Sequence, residues 1–329
     1  MDTPSSSRVL TTGDLTLESE NLTLIMSPER GGRIISLAHR LATREALWRQ
    51  SPRPDWPRYG APASDADIQG WDECCPAIGP GSYPPGPWEG VRSPAQGEVY
   101  ALPWRVLEAD GRRAVLAVHG VRFPYELQRD VALVEPNMAH VRYRIANHSA
   151  VPFPFIWSVH PLLDVSGGAR IVLPDGVDEV IVDSTVHDRL GPVYGRIPWP
   201  RLHTGDGAEV DLSAVQPGTG WGDKLYVAQV PEGWCMLQRS DGLTVELHWD
   251  TATIPSLGIW IDTQGEGEGE ARIALEPCLG YPDILSAAAE WGRHALLPPY
   301  GEQTWEMTLT VTCTPTAPVG LNPPARTSL

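Results

Sequence analysis

The side chains best suited to chemistry in this sequence are a histidine and two carboxylates in apolar surroundings. His160 lies in the run Val151-Pro-Phe-Pro-Phe-Ile-Trp-Ser-Val-His-Pro-Leu-Leu-Asp164, which is rich in aromatic and aliphatic residues. Imidazole titrates nearest neutrality, so this residue could be a general acid at the floor of a pocket. A core histidine bound to a backbone carbonyl fits the same pattern, and the run alone favours that second interpretation.

The two carboxylates are Glu276 and Asp223. Glu276 closes the apolar segment Ile273-Ala274-Leu275 just before Pro277, where it could be a buried base or could leave the sheet and meet water. Asp223 follows Gly220-Trp221-Gly222, and its alternative role is to cap a turn. A carboxylate and an imidazole on facing strand ends would suit proton transfer on a small polar substrate.

Several common kinds of site are disfavoured by the motifs that the sequence lacks. It contains no GxSxG elbow, phosphate-binding P-loop, GxGxxG opening a helix or HExxH. The five cysteines form an odd set without CxxC spacing, and Cys74 and Cys75 are adjacent, so they would point to opposite faces of a strand. We therefore expect reduced thiols and no metal site.

The elements that must position these residues are strands. The 32 Gly and 33 Pro residues exclude a mostly helical chain, and a hydrophobic content of 42% is too high for disorder. The formal net charge of −16 argues against nucleic acid or an anionic membrane as a partner. The first residues lack an apolar signal region and no apolar run is long enough to span a membrane, so we expect a cytoplasmic protein.

The chain is predicted to form one all-β domain over residues 9–313, between a loose segment at 1–8 and a disordered tail at 314–329. Leu15 to Ile25 alternates as two strands, and short strands follow from Val99 to Ile145 and from Arg170 to Cys313. Ser51 to Ala95 has the composition of a long loop, and Gly265 to Glu270 that of a solvated hairpin tip. Only Ile284 to Ala295 has helical character. A large β-sandwich is the simplest architecture.

Over nearly the whole chain, from about Leu15 to Thr312, the sequence resembles the aldose 1-epimerase (galactose mutarotase-like) family. Five segments carry the resemblance and occur in the family's order: Gly31-Gly32-Arg33-Ile34; Gly70-Trp71-Asp72-Glu73 with Gly97-Glu98-Val99-Tyr100-Ala101-Leu102-Pro103-Trp104; Ser158-Val159-His160-Pro161; Gly222-Asp223-Lys224-Leu225-Tyr226; and Leu257-Gly258-Ile259-Trp260-Ile261-Asp262 followed by Leu275-Glu276-Pro277 and Pro282-Asp283.

This resemblance implies a twisted antiparallel β-supersandwich that interconverts the α and β anomers of a monosaccharide without a cofactor. In that case Glu276 takes the proton from the anomeric hydroxyl and His160 protonates the ring oxygen. The substrate-binding residues implied are Asp223, Gln96, Trp71, Asp72, Glu98 and Trp260. The protein is then expected to be a monomer or homodimer whose partner is a small sugar.

The sequence also departs from the family in its substrate contacts. Gln96 stands where the family commonly has a second histidine, and glutamine can bind a hydroxyl but cannot titrate. The family's asparagine-arginine pair is not visible, because Trp71-Asp72-Glu73 occupies its region. Two alternatives therefore remain: a non-catalytic sugar-binding or sensing protein, and an epimerase of a phosphorylated or otherwise atypical sugar.

Overall fold

The computed structural model describes residues 13–49, 58–60, 69–204, 207–264 and 271–314. Within these ranges the chain forms 27 strands, numbered β1 to β27 in chain order, and one α-helix, α1, at Leu285–Glu290. The predicted segment at 1–8, most of the predicted tail and the predicted hairpin tip at 265–270 lie outside the described residues. The all-β prediction is confirmed.

The larger sheet, which we call the site sheet, has 12 strands among the described residues. Its central path runs β1-β2-β3-β5-β13-β25-β24-β21-β16-β17, with β4 beside β3 and β14 beside β25. The strands are β1 (Leu15–Glu18), β2 (Leu22–Ser27), β3 (Arg33–His39), β4 (Arg44–Glu45), β5 (Trp71–Cys74), β13 (Ser158–Pro161), β14 (Leu163–Asp164), β16 (Glu179–Thr185), β17 (Arg196–Pro198), β21 (Gly222–Val227), β24 (Ser256–Asp262) and β25 (Arg272–Cys278).

The second sheet, the back sheet, has nine strands in the described part of the chain, in the order β20-β15-β22-β23-β27-β11-β10-β9-β8. They are β8 (Arg105–Ala109), β9 (Arg113–His119), β10 (Tyr125–Glu135), β11 (Met138–Asn147), β15 (Ala169–Val172), β20 (Ala214–Val215), β22 (Trp234–Arg239), β23 (Leu243–Trp249) and β27 (Glu302–Cys313). The remaining strands pair two by two: β6 (Gly81–Ser82) with β7 (Arg92–Ser93), β12 (Phe153–Phe155) with β26 (Ala295–Leu297), and β18 (Arg201–His203) with β19 (Glu209–Asp211).

One large apolar cluster among the described residues joins the two sheets. The first nine residues of β10 alternate between buried and half-buried positions, as expected of a strand with one face on the core. Leu127 and Leu309 of the back sheet belong to the same buried cluster as Leu24 and Ile259 of the site sheet. The fold is therefore one large antiparallel β-sandwich.

Three local predictions differ from the structure, the first because pairing within the sheet overrode local composition. The expected loop from Ser51 to Ala95 contains β5, which is buried and lies between β3 and β13 in the site sheet. The expected helix from Ile284 to Ala295 is shorter: it ends as α1 before Gly292, whose φ of +63° stops a right-handed helix. The His160 run, expected as one strand ending near Pro161, forms β12, β13 and β14.

Two further features bear on the predicted class of protein. All five cysteines are free thiols, four of them buried and Cys313 partly exposed. Among the described residues, no helix is both long and apolar enough to pass through a membrane.

A buried ion pair crosses the core beneath β5. Glu73 Oε1 accepts hydrogen bonds from Arg129 Nη1 at 3.0 Å and from the Tyr143 hydroxyl at 2.8 Å, and both charged side chains are fully buried. The Arg129 guanidinium also lies 5.1 Å from the centre of the Trp104 ring. Because Glu73 and Asp72 are neighbours on a strand, fixing Glu73 in the core turns Asp72 to the opposite face.

We expect Glu73→Ala to lower the free energy of unfolding by about 3–5 kcal/mol, because it leaves the Arg129 charge buried and unpaired. The matched control is Glu302→Ala, which removes an exposed ion pair with Arg144 and should change stability by less than about 1 kcal/mol. Chemical denaturation followed by circular dichroism measures both. Equal losses in the two variants would contradict the central role given to the buried pair.

Candidate functional site

The strand register of the site sheet sets His160 and Glu276 side by side. Ser158 pairs with Cys278 and Leu163 pairs with Ile273, and this common register places His160 opposite Glu276. On the other side of β13, His160 pairs directly with Asp72 of β5. Directly paired residues project from the same face of a sheet, so the imidazole lies between two carboxylates.

The same row continues through two further strands. Glu276 pairs with Gly258 of β24, and Gly258 pairs with Tyr226 of β21. Lys224 lies two residues before Tyr226, so it projects from the same face. We call Asp72, His160, Glu276, Lys224 and Tyr226 the charged row.

Asp72 holds one side of the His160 ring. The Nδ1 atom of His160 lies 3.1 Å from Asp72 Oδ1, and Asp72 Oδ2 accepts a hydrogen bond from Arg33 at 3.3 Å. A carboxylate can only accept a hydrogen bond, so Nδ1 carries a hydrogen and donates a hydrogen bond to Asp72. The side chain of His160 is 12% exposed. This arrangement leaves the other ring nitrogen, Nε2, for a substrate.

The surroundings of His160 favour its charged form. Burial lowers the pKa of the imidazole, but the hydrogen bond to Asp72 and the charges of Asp72 and Glu276 act in the opposite direction. The net result is a pKa above the ordinary value of 6.5. An imidazolium at neutral pH is the form that can act as a general acid.

Glu276 is fully buried, and its two oxygens have different surroundings. Its Oε2 atom accepts a short hydrogen bond from the ammonium of Lys224. Its Oε1 atom is buried and has no hydrogen-bond partner in the described structure. A buried polar atom without a partner calls for an explanation, and Oε1 is free to accept one proton.

Lys224 in turn is surrounded by acidic groups. Its Nζ atom lies 3.9 Å from Asp283 Oδ1, which also accepts a hydrogen bond from the Tyr226 hydroxyl. Burial lowers the pKa of Lys224, but the charges of Glu276, Asp283 and Asp183 more than offset it and raise the pKa above its ordinary value. Burial and the charge of Asp283 also raise the pKa of Asp183 to about 7.

Two more of the predicted residues reach the His160 side of the row. The centre of the Trp260 ring lies 5.9 Å from that of His160. Gln96 Nε2 lies 3.4 Å from His160 Nδ1, and the Gln96 backbone has a φ of +57° just before Gly97. Such a backbone conformation is unusual for a residue with a side chain and is typical of functional loops.

Three predicted residues lie apart from the row. Asp223 projects from the opposite face of β21 to Lys224, where it accepts hydrogen bonds from Thr185 at 2.7 Å and from Arg189. Trp71 is only 1% exposed and projects from the face of β5 opposite to Asp72. Glu98 is fully buried and accepts hydrogen bonds from the Tyr59 hydroxyl at 2.5 Å and from the backbone N–H groups of Val121 and Arg122 at 3.2 and 2.9 Å.

Besides Asp183, three charged residues of the site were not predicted: Lys224, Arg33 and Asp283. Each stands inside a segment that the sequence analysis quoted, and Lys224 directly precedes the apolar stretch Leu225-Tyr226-Val227. A lysine in a buried strand indicates a nearby carboxylate, since it is seldom buried unpaired. That signal was available, but the partner could not be identified without the register.

The chemistry open to this arrangement is proton transfer. An imidazole and a carboxylate with one oxygen that has no hydrogen-bond partner in the described structure face the same side of the sheet, close to an indole ring. Within the described ranges, no group of three or more His, Cys, Asp or Glu side chains is placed to hold a metal ion.

Comparison with solved structures identifies the fold. The chain superposes on the Slr1438 protein of Synechocystis sp. PCC 6803 with a TM-score of 0.67 and 18% identity, covering 95% of this chain and 100% of that one. It superposes on a galactose mutarotase related enzyme of Lactobacillus acidophilus with a TM-score of 0.67 and 15% identity, covering 92% of this chain and 98% of that one. A third match is an Escherichia coli K12 protein provisionally assigned as an aldose 1-epimerase, with a TM-score of 0.67 and 18% identity, covering 92% of this chain and 99% of that one.

No family model matches the sequence, and no curated protein matches it at a significant level. The structural likenesses, at these low identities, show the fold. The galactose mutarotase-like sandwich expected from the resemblance is thus confirmed.

We expect Asp72→Asn to lower the pKa of His160 by about one unit or more, because the anionic hydrogen-bond acceptor is lost while the burial remains. An NMR titration of the imidazole measures the change. Glu246→Gln is the control: it removes a carboxylate 2.7 Å from the exposed His248 and should leave the titration of His160 unchanged. An unchanged pKa of His160 in Asp72→Asn would contradict the role assigned to Asp72.

Proposed function

We propose that the protein is an aldose 1-epimerase-like enzyme that interconverts the α and β anomers of a monosaccharide. The observation that carries the proposal is the register that sets His160 beside Glu276, with Nδ1 of the imidazole bound by Asp72. The fold and the order of the sequence segments support it. Each group then has one task, and no cofactor is required for the reaction.

Ring opening moves two protons and leaves the substrate uncharged. Glu276 Oε1 accepts the proton of the anomeric hydroxyl, and the electron pair left on that oxygen forms the carbonyl as the bond from C1 to the ring oxygen breaks. His160 Nε2 donates its proton to the departing ring oxygen. Rotation about the bond between C1 and C2 presents the other face of the carbonyl. Ring closure then returns one proton from the attacking hydroxyl to His160 and passes the other from Glu276 to the new anomeric oxygen.

The other residues near His160 fit supporting tasks. Asp72 holds the imidazole in its charged form with Nε2 free, which is how a second group commonly orients a catalytic histidine. Trp260 offers a partly exposed indole for the apolar face of a sugar ring, although the Arg272 guanidinium lies 5.5 Å from the centre of the same ring. Gln96 can exchange hydrogen bonds with a hydroxyl.

The charge of the site favours an unphosphorylated sugar. Around the proposed sugar site, the charged row and its neighbours contribute the carboxylates of Asp72, Asp183 and Asp283. The lysine and the two arginines near them, Lys224, Arg33 and Arg272, are each already paired with a carboxylate. A phosphate group is best bound by unpaired arginines in a fork geometry. We therefore propose a neutral aldose as the substrate.

A sugar-binding protein without turnover is the second candidate. It is favoured by Gln96, which cannot take part in proton transfer, and by the complete burial of Glu276 beneath Lys224. On this hypothesis the same residues bind a sugar but do not accelerate anomer exchange.

We expect the wild-type protein to accelerate anomer exchange of at least one neutral aldose, and Glu276→Gln and His160→Ala each to reduce kcat by about 10²–10⁴-fold, the usual contribution of a general acid or base. Polarimetry from a pure anomer and exchange NMR measure the rate over a panel of aldohexoses and aldopentoses.

Glu306→Gln, an exposed change on the back sheet, is the control and should keep the wild-type rate. Equally slow exchange of every sugar by wild type and Glu276→Gln would refute the enzymatic proposal. Saturable sugar binding in that case would favour the second candidate.

A further inference from the structure

Lys224 is a buried charged side chain to which the proposed mechanism assigns no task. It is 4% exposed, and its ammonium forms an ion pair with Glu276 inside the site sheet. A simple explanation is that it only neutralises a buried carboxylate so that the chain can fold. Three features of the geometry point to a more specific role.

The first feature is that the ammonium contacts only one oxygen of the carboxylate. Oε2 of Glu276 is bound to Lys224, whereas Oε1 has no partner in the described structure. The carboxylate group therefore has one engaged and one free end. Its plane is held by a charge-assisted hydrogen bond, and such bonds are stronger than those between neutral groups.

The second feature is the glycine beneath the ion pair. A Cβ atom at Gly258 would lie 3.2 Å from Lys224 Nζ, 3.2 Å from Cε1 of Tyr226 and 3.3 Å from Cβ of Glu276. All three distances are shorter than ordinary van der Waals contacts. Glycine at this one position of β24 therefore gives the room in which the ammonium reaches across to Glu276.

The third feature is a second set of contacts that anchors the lysine. The carboxylate of Asp283 lies 3.9 Å from the ammonium and accepts a hydrogen bond from the Tyr226 hydroxyl. The backbone N–H of Asp283 donates a hydrogen bond to the Asp183 carboxylate at 3.3 Å. The ammonium also lies 5.2 Å from the centre of the Tyr226 ring. These contacts fix the position of the ammonium beside Glu276.

We propose that Lys224 is a positioning residue for the proton transfer: its ammonium places a positive charge beside the carboxylate of Glu276 and occupies Oε2, so that Oε1 alone receives the proton from the substrate. The proposal rests on the proposed function, since it concerns the same site. The titratable groups that face Glu276 come from every neighbouring element and are Lys224 and Tyr226 of β21, His160 of β13, Asp72 and Cys74 of β5, Cys278 of β25, Asp183 of β16, and Asp283.

The test is the pH profile of kcat/KM for anomer exchange in Lys224→Gln, which keeps a hydrogen-bond donor and removes the charge. Without the ammonium a carboxylate is harder to maintain, so the acid limb should move to higher pH by about one unit or more. Lys224 also lowers the pKa of His160, so the alkaline limb should move in the same direction. At a pH below the acid limbs of both proteins, a limb displaced by one pH unit makes the variant about tenfold less active than the wild type.

Two further readouts separate positioning from a purely structural role. KM should change less than kcat, because Lys224 is not proposed to touch the substrate. Lys224→Arg restores a cation and should return the acid limb to its wild-type position. If Lys224→Gln is folded and active and the acid limb of its pH profile lies at the same pH as in the wild type, the proposal is overturned.

The remaining outcomes are also decisive. Lys224→Met is the second neutral variant, because its side chain has a similar length and no unpaired donor. Failure of both neutral variants to fold, with folding restored by adding Glu276→Gln, would assign Lys224 to neutralisation alone and overturn the proposal. Absence of exchange in the wild-type protein is a different result, since it removes the proposed function itself and this inference with it.

Discussion

The burial of charge along one row of the site sheet is the constraint on which the rest of the structure depends. Moving an ion out of water costs several kcal/mol even after the protein relaxes, so each buried charge must find an oppositely charged partner. His160 has Asp72, and Glu276 has Lys224. The strand order and the register of this sheet are what bring these partners together, because the four residues come from four different strands.

Two neighbouring acidic residues of β5 project from opposite faces of the strand, one into the core and the other into the candidate site. Glu73 projects into the core and pairs with Arg129, whereas Asp72 projects to the charged row and binds His160. The core pair fixes the strand, and the alternation of side chains then aims Asp72. A change in the register of β5 by one residue would exchange these faces and leave both sites with the wrong partner.

The site combines features that a packing argument alone does not explain. A chain selected only for stability could replace the pair of Lys224 and Glu276 with apolar residues of similar volume, often without loss of stability. Retaining the pair above Gly258, with one carboxylate oxygen unpartnered, is consistent with a role in binding or proton transfer. Asp223 differs from Glu276 in this respect, since both of its oxygens accept hydrogen bonds, from Thr185 and Arg189.

Much of the fold and part of the candidate site could be predicted from the sequence. Frequent Gly and Pro, regular short strands and the apolar settings of His160 and Glu276 determined an all-β sandwich and singled out an imidazole and a carboxylate, because hydrophobic periodicity and unusual burial are local signals. The strand at β5 was missed because its acidic and cysteine-rich sequence forms a strand only through its neighbours in the sheet.

Only the tertiary structure decided which charged groups meet. Lys224 and Asp223 are adjacent in sequence, yet one reaches Glu276 and the other lies on the opposite face. Nothing in the local sequence specifies which face of a buried strand will meet which partner. That choice is made by register between strands far apart in the chain, since a slip of one residue reverses every side chain.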